Sequence, residues 1–72
     1  MKVSYDENKN LACIEFNPKY RRAEAIITKL NIMAWDIAER SDSKVLFKVE
    51  NKEDYENLKR MTDYCLTHDF YY

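Results

Sequence analysis

Leu30-Asn31-Ile32-Met33-Ala34-Trp35-Asp36-Ile37-Ala38-Glu39-Arg40 is the stretch on which the fold turns. A helix arriving at Leu30 could run on through it, with Met33, Ala34 and Ile37 extending its apolar stripe. At ~100° per residue, however, Ile32 and Trp35 would then lie about 200° and 140° round from Leu30. A continuous helix strands Trp35 in water. If the helix instead stops at Asn31, a residue that tolerates the left-handed C′ position, Ile32 to Glu39 reads as a strand with Met33, Trp35 and Ile37 on one face. The helix propensity of Ala34, Ala38, Glu39 and Arg40 pulls the other way. We favour the strand because it buries all three large side chains. The expected fold is then α+β with order ββαββα, a mostly antiparallel four-stranded sheet covered on one face by two helices. The alternative is ββαβα with one long helix over 18–40.

The flanking sequence is easier to read. Upstream, Lys2 to Tyr5 and Leu11 to Phe16 alternate, with Val3 and Tyr5, then Ala12, Ile14 and Phe16, on one face. The polar run Asp6-Glu7-Asn8-Lys9-Asn10 between them makes this a hairpin. Asn17-Pro18 predicts a helix start, Asn as N-cap and Pro at the first helical position, where its missing N–H costs nothing. From Lys19 the stripe is Tyr20, Ala23, Ile26, Ile27 and Leu30. Downstream, Arg40 to Ser43 is a turn, and Lys44 to Glu50 a strand with Val45, Phe47 and Val49 facing inward. Asn51 caps a last helix, with Glu53 and Asp54 at its positive end and a buried stripe of Tyr55, Leu58, Met61 and Cys65, running to about Leu66.

A chain of 72 residues is expected to form a single compact domain over 1–72 with a thin stability margin. It contains no glycine, where average usage of ~7% would give about five. Phosphate-cradling P-loops, dinucleotide fingerprints and nucleophile elbows all need backbone that turns through positive φ or approaches a ligand closely, so these enzyme classes are excluded on composition. Turns must use Asn and Asp instead. Twelve Lys and Arg against thirteen Asp and Glu leave a net charge of −1, which gives phosphate no long-range attraction. There is no signal-peptide run and no membrane-length apolar stretch, so a cytoplasmic location without membrane contact is expected. Cys13 and Cys65, on apolar positions, read as reduced, buried thiols rather than a disulfide framework. The leaning toward Lys, Asn, Ile and Tyr is what an AT-rich genome encodes.

No arrangement of side chains specifies a reaction. Cys65 and His68 would share a helix face, with Asp69 beside them, but Cys65 belongs to the apolar stripe and no oxyanion-stabilising feature accompanies it. Adding Cys13 gives the residues of a Cys₂His zinc set without the tight paired spacing such sites use. The carboxylate pairs Asp6-Glu7, Glu53-Asp54 and Asp36/Glu39 read as solvated charge. Asp6 to Asn10 lacks the glycine and terminal glutamate of a calcium loop. No catalytic, cofactor or metal residue is therefore assigned, and the chain is expected not to be an enzyme.

Two kinds of binding surface compete. On the sheet face away from the helices, Leu11, Cys13, Ala34, Ala38 and Leu46 would form an apolar centre bordered by Asp36, Lys44, Lys48 and Glu50, the build of a protein-binding surface that a homodimer or another partner covers. The terminal Phe70, Tyr71 and Tyr72 are a second aromatic contact element. Against these, Lys19, Arg21, Arg22 and Lys29 concentrate positive charge in the first helix and would suit nucleic acid. The aromatics Tyr5, Trp35 and Phe47 would suit a base-stacking platform only if they faced solvent, whereas the alternation points them at the helices. The function expected from the sequence is a small protein-binding module, an inhibitor or regulator of viral or mobile-element origin, with nucleic-acid-binding regulation as the alternative.

Overall fold

The computed structural model describes residues 1–68, which form an α+β fold of order ββαββα. Strands β1 (Lys2–Asp6), β2 (Leu11–Glu15), β3 (Ile37–Arg40) and β4 (Lys44–Lys48) make one antiparallel sheet in the order β1-β2-β4-β3, covered on one face by helices α1 (Ala23–Met33) and α2 (Lys52–Thr67). The long-helix alternative over 18–40 is thereby excluded. In the first hairpin Asp6 pairs with Leu11, and Asp6 Oδ1 accepts from the N–H groups of Asn8 and Lys9. Asn10 closes the turn at φ 52°. The glycine-free chain thus meets its left-handed requirement with Asn, as expected.

Side-chain alternation divides the sheet cleanly. Ala12, Ile14, Val45 and Phe47 are fully buried against Ile26, Ile27 and Leu30 of α1 and Leu58 and Cys65 of α2. Burying a residue such as Phe47 contributes about 1.5–3 kcal/mol, so these few side chains dominate the stability of so small a chain. The one buried polar side chain among the described residues, Thr62, is satisfied internally, its hydroxyl donating to the Leu58 carbonyl at 2.8 Å. Asn51 caps α2 as expected, accepting from the Asp54 N–H at 2.9 Å.

Three local expectations are corrected. First, α1 begins at Ala23, not at Pro18. Asn17 does accept from a following N–H, that of Lys19 at 2.9 Å, but the chain then passes through turns closed by Tyr20 N–H to Asn17 O and Ala23 N–H to Tyr20 O. The same Asx chemistry serves an N-cap or a free-standing turn, and the packing of Tyr20 on the core selects the turn. Second, α1 runs past Asn31 to Met33, with Ala34 and Trp35 N–H groups both donating to Leu30 O at 3.2 Å. Third, β3 is Ile37–Arg40, not Ile32–Glu39. Met33 is exposed, not inward, and Ala34 ends a helix rather than joining the sheet. Trp35 is buried as argued, at 6% exposure, but from the connection between α1 and β3. Its indole Nε1 donates to Asp54 Oδ1 at 3.1 Å. A bulge between Ile37 and Glu39 then sets Glu39 opposite Leu46 and Arg40 opposite Val45, and Arg40 pairs with Glu24 of α1.

Candidate functional site

The register builds the open sheet face in rows. Cys13 lies between Ser4 and Leu46, with Glu39 beyond, while Leu11 lies between Asp6 and Lys48. Glu15 sits between Lys2 and Lys44. Leu11, Cys13 and Leu46 are half-buried, so the apolar centre is small and crossed by both signs of charge. Asp36 stands exposed where β3 begins, its carbonyl accepting from Lys48 N–H at 2.8 Å. Lys44 and Lys48 are exposed at the rim. Ala38 is exposed within the bulge, and Glu50 has left the sheet, its N–H donating to Asp54 Oδ2. Tyr71 and Tyr72, with Phe70 and Asp69, lie outside the described residues.

A second surface was not foreseen in the sequence. On α2, Asn57, Arg60, Met61 and Tyr64 line a groove together with Trp35 of the α1–β3 connection. Tyr64 is 51% exposed, and in the last turn of α1, just before Trp35, Ile32 and Met33 are 72% and 45% exposed. These are the large apolar side chains left in solvent among the described residues. Trp, Tyr, Met and Arg are the types enriched at the centres of protein interfaces. The one mark of it in the sequence is Ile32, which on a helix lies about 200° round from Leu30. Met33, expected to face inward from a strand, carries no such mark.

The basic residues are divided in their tasks. Lys19 and Arg21 are exposed in the turns before α1. Arg22 instead reaches the end of α2, donating from Nη2 to the carbonyls of Cys65 at 2.6 Å and His68 at 2.8 Å, and from Nη1 to Leu66 at 3.4 Å. A helix C-terminus presents unpaired carbonyls and partial negative charge, which a guanidinium satisfies in both respects. Lys29 is half-buried and close enough to Cys65 to act on its thiol electrostatically.

The two cysteines are kept apart by the sheet. Cys13 is half-buried on the open face rather than buried as expected, because β2 alternation turns it away from the helices, whereas Cys65 is fully buried in the core on the helical side. Burial pushes the Cys65 thiol above its ordinary value, against the opposing charges of Lys29 and Arg22, and so away from the thiolate that nucleophilic work needs. His68 stacks on Tyr64 with ring centroids 4.1 Å apart, its Nδ1 beside the Thr67 hydroxyl and the Tyr64 carbonyl. No cluster of His, Cys, Asp and Glu among the described residues has metal-binding geometry, and no described helix is long and apolar enough to cross a membrane. Asp54 binds Trp35 and the backbone ahead of α2, and Asp6 its own turn, which gives both carboxylates structural work. No protein family, curated protein or solved structure matches the chain.

Proposed function

We propose that the chain is a non-enzymatic protein-binding module that acts as an inhibitor or regulator by covering a surface of its partner. The observation carrying this reading is the groove of Trp35 and α2, where exposed Tyr64 and half-buried Met61 flank Trp35, with exposed Ile32 and Met33 close by in sequence. A monomer has little reason to leave such side chains in water, and methionine adapts well to apolar partners. Arg60 at the groove supplies the polar component, so the partner offers an apolar segment bearing an acidic residue.

Photo-crosslinking from position 64 in the native host, followed by capture with variants, tests the reading. A specific partner should be lost with Tyr64→Glu and Arg60→Glu and kept with Leu46→Glu. Loss with Leu46→Glu alone would move the site to the open sheet face. Retention by all three variants would refute both surfaces.

A further inference from the structure

The two edges of the sheet are not alike. The β3 edge is short, bulged between Ile37 and Glu39, and tied to α1 through Arg40 and Glu24, the devices by which proteins blunt an exposed edge. The β1 edge is a regular five-residue strand. Which of its backbone groups point outward follows from the neighbouring strands. Phe16 N–H donates to Ser43 O, and Asn10 O accepts from Val49 N–H, so the even-numbered residues of β2 direct their groups to β4. Leu11, Cys13 and Glu15 therefore serve β1, through their partners Asp6, Ser4 and Lys2. The N–H and C=O groups of Val3 and Tyr5 are left facing out. The Tyr55 hydroxyl approaches the Val3 carbonyl at 3.5 Å, from the α2 side, and a carbonyl accepts more than one donor.

We infer that this edge pairs antiparallel with the β1 edge of a second copy of the chain, centred on Ser4. In that register Val3 faces Tyr5 of the other copy, and both pairs exchange their outward N–H and C=O groups. The intervening pairs are Lys2 with Asp6, Ser4 with Ser4, and Asp6 with Lys2. Every backbone group exposed by Val3 and Tyr5 is satisfied, and each end of the contact joins opposite charges at the close separation of a non-hydrogen-bonded pair. A lysine on an edge strand ordinarily discourages pairing, but here the two-fold arrangement places it against a carboxylate. Parallel pairing would oppose like charges instead. Asp6 Oδ1 serves its turn, and Oδ2 would be the oxygen that accepts from Lys2 of the other copy. The contact would extend the sheet across both copies with the helices of each on one side, and set the two Leu11/Cys13/Leu46 patches on one broader face. Its small size makes the dimer weak and concentration-dependent. The inference is independent of the Trp35/α2 groove.

Sedimentation of the full chain over a wide concentration range is the first test, with a reversible monomer–dimer equilibrium expected. Ser4→Lys puts like charges directly opposite each other and should weaken the dimer several-fold while leaving the far-UV circular dichroism unchanged. In a Cys13→Ser background, Ser4→Cys should cross-link between copies under mild oxidation, because Cα atoms in such a pair lie about 4.5 Å apart. Lys2→Cys, on the same face but off the axis, should not. A monomer at all concentrations, a dimer indifferent to Ser4→Lys, or equal cross-linking through positions 2 and 4 would overturn the pairing.

Discussion

Arg22 shows how little a residue's type says about its task. As one of several basic residues near the start of α1 it suits a solvated face or, as the alternative, a phosphate contact, yet its guanidinium closes the C-terminus of α2 through the Cys65, Leu66 and His68 carbonyls. Arg22→Ala should destabilise the fold by about 1–3 kcal/mol in urea unfolding, and Arg22→Lys, which keeps the charge without the planar fork, should recover only part of that. The cysteines diverge equally. Iodoacetamide should modify half-buried Cys13 in the native state, while Cys65, buried and protonated, should react only on unfolding, as intact-mass measurement would show. Because the folded state raises the Cys65 pKa, it holds that proton more tightly than the unfolded chain does. The associated stability is complete below the ordinary thiol range and is lost as pH rises through and above it. Cys65→Ala should therefore show a shallower alkaline loss of stability than the parent, whatever its offset at neutral pH.

Elements whose signals are local follow the sequence closely. Asn51, with Asp54 three residues on, marks the start of α2, and the spacing of Leu58, Met61 and Cys65 marks its buried face. Strand alternation likewise identifies Ala12, Ile14, Val45 and Phe47 as core. The β1–β2 turn rests on Asn10, which holds φ 52° and accepts from the Tyr5 hydroxyl at 2.8 Å. Asn10→Ala should cost about 1 kcal/mol, since a Cβ without a local polar partner disfavours the left-handed region. Asn10→Gly should stay within about 0.5 kcal/mol, its conformational ease offsetting the lost hydrogen bond. Paired thermal melts of the two variants separate backbone conformation from the contact to Tyr5. The start of α1 and the extent of β3 were misread for a common reason. Both depend on side chains docking against distant elements, Tyr20 on the core and Trp35 on Asp54, and neither contact leaves a periodic trace.

For the whole molecule, a single layer of helices on one sheet face means that each core residue carries much of the stability. At roughly 0.05–0.15 kcal/mol per residue the total is about 4–11 kcal/mol, and Phe47→Ala should remove about 3–5 of it. That variant should melt far below the parent in calorimetry, whereas Leu46→Glu, on the other face of the same strand, should melt close to it. The candidate binding surfaces divide along the same line. The open face was legible in part, because Leu11, Lys44, Leu46 and Lys48 alternate with core residues, while Ala34 left it as soon as α1 ran on to Met33. The Trp35/α2 groove was not legible, since it joins Trp35, in the connection after α1, to Met61 and Tyr64 far along the chain on α2. By itself the sequence determined the first hairpin, the strand from Lys44 and the last helix, the core faces of β2, β4 and α2, and the lack of glycine-dependent sites, while the choice between ββαββα and ββαβα waited on the structure. Those follow from periodicity, capping and composition, which act within a few residues. Only the tertiary structure decided where α1 and β3 begin, what Arg22 and Trp35 bind, and which apolar side chains remain in water, because each depends on a partner far along the chain.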